Sequence, residues 1–435
     1  RLATDQEVLG SNPSRRTIIM KIILNKITIY QILFLGLILR VFALFYYSDD
    51  TLVDEWARII HNKDISGVFG LNIVLSEYSA DPKFAEIGEK VLPTIFMPPL
   101  YIYFIYTIKF LTGDFFNYVN VIILIQIFLS LISIIILYLI TKRLQKSRNI
   151  SILITCIFAF FPINIYATVL ISSVTLQIFL ILSFLYFLSL SNRNEIKNLI
   201  YLSFFSSLLI LIRGEFFVFY AFTLVYFFYF FEKKIKSIFI SVILTVLICS
   251  PYLIRNYNYF DTFVLTKSFG YNLLKGNNST FTVEGSPKYI EKNFDRKKLK
   301  IKANNKYEIE VDNFFKQKAI DIIKESPYDY LKFYFIKVLS FIFFDFNSTY
   351  PNYYNPLHFL PKIILAISSL IGAIASLFRK DFFQFLSIYY FFNILLFSIF
   401  FILPRYSLIL LPIQLLLTIN CIKFIKEKID LLIQK

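Results

Sequence analysis

Apolar residues run together over lengths fit to cross a bilayer at ten places along the chain. These are 22–47, 115–141, 149–168, 170–190, 198–213, 214–231, 235–254, 357–378, 383–402 and 405–424. Two further apolar stretches, 98–112 and 331–346, are shorter. The first of these starts after Pro98-Pro99, and the second follows an amphipathic run. If the ten long segments span and the two short ones lie in the interface, the basic runs TKRLQKSR (141–148), SNRNEIK (191–197), EKKIK (232–236) and RKD (379–381) share one face with the C-terminus. That face is then cytoplasmic, and the loops at 48–114 and 255–356 both lie outside. If the short stretches span instead, three of the basic runs become external and the two loops part company. The positive-inside rule favours the first arrangement. The pattern therefore predicts an all-α integral membrane protein of about ten (10–12) spans, with interfacial helices in two large external loops.

The first external loop is poor in apolar residues and holds the densest acid cluster of the chain, YYSDDTLVDEWARIIHNKDISGVFG (46–70). The second carries a charged run, EKNFDRKKLKIK (291–302), followed by an amphipathic helix. Val311, Phe315, Ala319 and Ile322 share one face of that helix, which ends at Pro327. No internal repeat, low-complexity linker or separate soluble domain is visible.

Composition agrees with the pattern. The chain has 435 residues, 57% hydrophobic and 17% charged, with a mean hydropathy of +0.64. A soluble domain of that size could not hide so much apolar surface. The net charge of +16 resides largely in short runs between apolar segments, which argues for membrane orientation and against a nucleic-acid partner. Aromatics reach 19%, a bias that an A/T-rich genome explains better than an aromatic ligand site. Cys156, Cys249 and Cys421 lie in or beside apolar runs without CxxC spacing, so neither disulfides nor a zinc site is indicated. His61 and His358 are the only histidines, too few for a His-based metal centre or a triad built on one. Residues 1–19, which precede Met20, lack the pattern of a signal peptide and read as spurious upstream translation. Residues 20–435 then form one transmembrane domain.

The residues with chemistry gather at the predicted external boundary. PYLIRNYNYFDTFVLTKSFGYNLLKGNN (251–278) leaves an apolar run and at once places Arg255 and Asn256 at the interface. An arginine there can hold a phosphate with both prongs of its fork, or merely anchor the helix in the headgroups. The glycines that follow either let backbone approach a polar ligand or form turns. Asp49, Asp50, Asp54 and Glu55 stand just beyond the first span. A carboxylate beside low dielectric has a raised pKa and suits a general base, although a solvated acidic loop would look the same. Arg213 and Glu215, in LIRGEFF, lie at or just below the external face. Charges near mid-membrane cost about 3 kcal/mol or more, so such residues are usually paired or functional.

The 251–278 string resembles the "P-W-x-x-R-N-Y…F-G…G-x-N-L-x-x-G-N" segment of bacterial membrane glycosyltransferases of the GT-C fold. That group includes protein O-mannosyltransferases and the aminoarabinose transferase of lipid A. Further stretches are similar. MPPLYIYFIYTIKFLTG (97–113) resembles "R-P-P-L-Y-P…F-G", with Met97 in place of the usual basic residue. LIRGEFF resembles "L-x-R-p-E/x", LPRYSLILLPIQ (403–414) resembles "R-Y-x-x-x-x-x-P", and 319–344 resembles a pattern ending in "x-x-x-K-l". The resemblance is discontinuous over residues 48–412, and the RNY…GYNLLKGN block is its specific part.

The resemblance implies a GT-C-like bundle in the bacterial inner membrane that moves a monosaccharide, with inversion, from a polyprenyl-phosphate donor. The acceptor would be a lipid, glycan or protein at the external or periplasmic face. The family carries its catalytic acid soon after the first helix. Asp54-Glu55-Trp56 matches the "D-E" context, and Asp49 matches "D-x-x-x-Y-x-x-x-A" with Val53 at the aromatic position. Asp54 is the first choice, with Asp50, Asp49 and Glu55 beside it. Arg255, Asn256, Arg405, Tyr406, Arg213, Tyr101, Asn272 and Asn277 would bind donor phosphate and sugar. No cofactor is required, a divalent cation being the one the family would admit. Ser173, where the family usually shows an acid, counts against a two-carboxylate metal site. Two other readings stay open: a lipid-linked-sugar flippase or transporter, and a polysaccharide polymerase or ligase that would dispense with the acidic first loop.

Overall fold

The computed structural model describes residues 27–47, 72–74, 91–113, 115, 117–145, 147–190, 196–231, 234–294, 301, 304–349 and 353–433. Among the described residues, each of the ten long apolar segments is mostly helical. In chain order the elements are α1 (Ile29–Tyr46), β1 (Asn72–Val74), β2 (Val91–Pro93), α2 (Pro99–Thr112), α3 (Tyr118–Leu144), α4 (Arg148–Phe160) and α5 (Pro162–Val169). Next come α6 (Val174–Leu190), α7 (Ile196–Ile212), α8 (Phe216–Phe230), α9 (Lys234–Phe260), α10 (Phe269–Gly276), α11 (Pro287–Asn293) and α12 (Tyr307–Glu325). The chain closes with α13 (Pro327–Ile342), α14 (Pro356–Ser376), α15 (Phe382–Phe397), α16 (Pro404–Ile409) and α17 (Leu411–Ile433).

The protein is a multi-pass membrane protein. Among the described residues, α1, α3, α9 and α14 are each long and apolar enough to cross a membrane alone. The predicted 149–168 span is broken: α4 and α5 together are long enough, but they bend by 49°. The cause is Pro162, whose preceding residue Phe161 is extended at φ −66°, ψ 116°. The apolar helices α6, α7, α8 and α15 are 15–17 residues long. In contrast to α4/α5, α9 absorbs Pro251 and continues to Phe260, past the predicted end of its segment. The short stretches 98–112 and 331–346 become α2 and α13, both opened by a proline in the first turn. One departure from an all-helical chain lies in the first loop, where β1 and β2 pair antiparallel with Ile73 opposite Leu92.

Local signals set the helix starts. Thr28 and Gln31 form a reciprocal capping box on α1. Asn117, Asn355 and Asp381 accept the first free amides of α3, α14 and α15. Within the bundle, small residues and hydroxyls bring helices together, since lipid offers no hydrophobic drive between them. A Cβ on Gly372 of α14 would collide with the Leu417 carbonyl of α17. Around it Ser368 meets Thr418 at 2.9 Å, and Asn420 donates to Ser376 at 2.7 Å. On the other side Ser241 of α9 meets Ser203 of α7 at 3.1 Å and Tyr220 of α8 at 2.9 Å. The amphipathic helix predicted in the second loop is α12, and its Phe315 and Ala319 are fully buried against α10.

Candidate functional site

The end of α15, the break before α16 and the end of α7 meet at one end of the bundle. The Arg213 guanidinium lies over two rings, Phe397 at 5.0 Å and Tyr406 at 4.7 Å, and pairs with Glu215 at 3.4 Å. Arg405 lies over the Tyr406 ring at 5.9 Å and is itself exposed. Tyr406 stacks on Phe397 and contacts Phe401, and Phe401 carries the Lys275 ammonium 4.2 Å from its centre. Three cations are thus mounted on connected aromatic rings, an arrangement that holds positive charge in place without neutralising it. Glu215 offsets part of that charge through its ion pair with Arg213.

This assembly depends on a buried lysine. Lys337 of α13 is fully buried, and its ammonium donates to the Gly276 carbonyl, Asn277 Oδ1 and the Ile399 and Phe400 carbonyls at 2.6–3.4 Å. Asn277 adds donations to the Leu273 and Ile399 carbonyls. Gly276 must be glycine here, because a Cβ would run into the Phe400 backbone. The α15–α16 break leaves carbonyls with no helical partner, and Lys337 and Asn277 supply the donors. The Ile402 amide then donates to the Val283 carbonyl at 2.8 Å, tying the break to the turn after α10.

Arg255 and Asn256 belong to a different cluster. The Arg255 side chain donates to the Thr94 carbonyl at 2.8 Å and Asn256 Oδ1 at 2.7 Å, with Tyr252, Tyr259 and Phe260 around its guanidinium. Asn256 in turn donates to the Val264 carbonyl at 2.6 Å. From the other side, Glu308 of α12 accepts from the Thr94 hydroxyl and the Ile95 amide, both at 2.8 Å. Burial pushes the Glu308 carboxyl above its ordinary range, opposed by those two hydrogen bonds and the nearby Arg255. The pair Arg255–Glu308 clamps the end of the first loop to the second.

The remaining predicted positions are dispersed. Tyr101 is buried and donates to Gln126, whose amide holds the Thr168 and Leu170 carbonyls at the end of α5. Asn272 stays on α10 beside Ser268. Ser173 accepts from Gln177. Asp49, Asp50, Asp54 and Glu55 lie outside the described residues. The glycines of the GYNLLKGN block approach protein backbone rather than open space: a Cβ on Gly270 would collide with Asp312. Among the described residues, no group of three or more His, Cys, Asp or Glu side chains could hold a metal ion.

Three features escape a reading by motif. Lys275 lies half-buried inside the GYNLLKGN block, and Lys337 is buried inside the "K-l" pattern. Arg40, within the first span, is fully buried and donates to Ser130 Oγ and to the Gly36 and Ala159 carbonyls. A charge inside an apolar run is the signal that could have singled out Arg40.

No protein-family profile matches the chain. No curated protein matches it either. Among solved structures, the archaeal oligosaccharyltransferase AglB from Archaeoglobus fulgidus, in complex with an inhibitory peptide and a dolichol-phosphate, is similar over 93% of this chain, with a TM-score of 0.49 and 13% identity. The Archaeoglobus fulgidus oligosaccharyltransferase tethered to an acceptor peptide containing the NVT sequon matches at the same TM-score, identity and coverage. The chain spans about half the length of these proteins, 51% of the first and 50% of the second.

Proposed function

We propose that the protein is an inverting glycosyltransferase that takes a monosaccharide from a polyprenyl-phosphate at the external face of the membrane. The observation that carries this reading is that Arg213, at the end of α7, and Arg405, just past the α15–α16 break, both lie against the single ring of Tyr406. Two guanidinium forks beside a lipid boundary suit a phosphate whose tail stays in the bilayer. In the reaction the sugar's anomeric carbon–oxygen bond breaks and the polyprenyl phosphate leaves with the electron pair. The arginines would stabilise the charge that develops on that phosphate. An acceptor hydroxyl attacks from the opposite face, and a first-loop carboxylate, Asp54 first or else Asp50, Asp49 or Glu55, takes its proton. Arg255 has a positioning role, holding the first loop beside the second through Thr94.

Transfer of radiolabel from a polyprenyl-phosphate sugar to a lipid, glycan or protein acceptor tests the reading. The activity should require both arginines. Movement of the intact lipid-linked sugar across the membrane without transfer would make the protein a flippase instead.

A further inference from the structure

Next to the cation cluster, joined to it by the Val283–Ile402 hydrogen bond, lies a second group of buried ionisable side chains. Glu284 follows Val283 and is 7% exposed; it accepts from the Ser348 hydroxyl and from the Thr349 amide and hydroxyl. Its hydrogen-bonding capacity is thus largely satisfied from within the protein. Asp345, 6% exposed, accepts through Oδ1 from the Asn347 amide, its one side-chain bond among the described residues. Burial raises its carboxyl above the ordinary range. Tyr353 organises the rest. Its hydroxyl accepts from the Asp345 amide at 2.9 Å, and its carbonyl lies 2.6 Å from His358 Nδ1. Its ring is edge-on to His358, with the Lys362 ammonium at 5.9 Å.

A carbonyl only accepts, so His358 Nδ1 carries the proton and Nε2 of the neutral ring offers a lone pair. That Nε2 is buried and has no partner among the described residues. Lys362 is 8% exposed and makes no hydrogen bond or ion pair among them, although it feels the field of Asp345. An ammonium held beside a buried ring nitrogen that has no partner among the described residues points to a ligand group that can both donate and accept. The ligand's chemistry follows from the mixture. A bare anion would meet Asp345 and Glu284, and a bare cation would meet Lys362. A hydroxyl both donates and accepts, so neighbouring hydroxyls can satisfy Asp345, His358 Nε2 and Lys362 together.

We propose that Asp345, His358 and Lys362 form a site for the hydroxyls of a sugar, carried by the lipid-phosphate donor or by the acceptor. The assignment of that sugar to a donor or acceptor rests on the glycosyl-transfer reading; the binding itself does not. Equilibrium binding to the full-length protein in detergent tests it with three radiolabelled probes. They are decaprenyl phosphate, decaprenyl-phosphate-linked hexose, and methyl hexoside added at saturating decaprenyl phosphate. The wild type should prefer the sugar-bearing lipid over decaprenyl phosphate by about tenfold if the donor sugar sits here, or bind methyl hexoside if the acceptor's does. Asp345→Asn, Lys362→Met and His358→Gln should each abolish that sugar-dependent binding while leaving decaprenyl phosphate affinity unchanged, which also reports an intact fold. The proposal is overturned if the wild type shows no sugar-dependent binding in either arm, if the variants keep it, or if they lose decaprenyl phosphate to the same extent. Sugar-dependent binding without any glycosyl transfer would leave this site standing and remove the transferase reading.

Discussion

Arg255 and Arg405 look alike in the sequence, each an arginine leaving an apolar run, yet their surroundings assign them different work. Arg255 is 5% exposed and grips the Thr94 carbonyl, 161 residues away in the chain. Arg405 is exposed on a ring it shares with Arg213. The RNY motif was therefore legible as a motif, whereas its partner was not, since no periodicity announces a contact across so many residues. Arg213→Ala and Arg405→Ala should each weaken binding of a polyprenyl-phosphate by about 2–3 kcal/mol, and lysine should rescue only partly. Arg255→Ala should instead loosen the first loop, seen as faster amide exchange at Ile95. Glu308, the other half of that clamp, supplies a pH test. Its carboxyl titrates above its ordinary value near 4.5, so across that window the folded chain holds a proton that the unfolded chain has lost. Stability should fall as pH rises through the window. Glu308→Gln, which keeps an acceptor for Ile95, should flatten the dependence in melting curves taken from about pH 4 to about pH 8.

At the scale of elements, the apolar runs and the face shared by Phe315 and Ala319 were enough to find the helices. Their interruptions were harder to place. Pro162 breaks a span whereas Pro251 is absorbed into one, and only the packing around each decides between these outcomes. The docking of α10 against the α15–α16 break was hidden for the same reason. Gly276 reads as a turn glycine until Phe400 is seen against it, and Lys337 reads as an interfacial lysine until its four acceptors are counted. Lys337→Met should deprive the Gly276 and Phe400 carbonyls and Asn277 Oδ1 of their lysine donor, Ile399 keeping that of Asn277, and cost about 3 kcal/mol or more. Gly276→Ala should be comparably damaging. Both should lower the midpoint of thermal unfolding in detergent, and both should reduce polyprenyl-phosphate binding by displacing Arg405 without touching it.

Across the whole molecule, the ends of α7 and α15, the break before α16 and the turn after α10 meet at one end of the bundle. The positive-inside pattern predicts that this end faces outside. Cysteines introduced at Lys146 and Lys234 should label only from the cytoplasm, and one at Lys297 only from outside. Reversal at any of the three would separate the two loops and dissolve the shared site. We propose that a first-loop acid and the Arg213–Arg405 pair divide one glycosyl transfer between them. It is tested most directly by measuring turnover and donor binding on the same preparations of Asp54→Asn and Arg405→Ala, with Asp50→Asn alongside. An acid-to-amide change should cut turnover by about 100-fold or more with donor affinity unchanged, while Arg405→Ala should chiefly weaken the donor. Normal turnover in all the acid-to-amide variants, with the arginine variant still failing, would contradict the account and leave a protein that handles lipid phosphates by another chemistry.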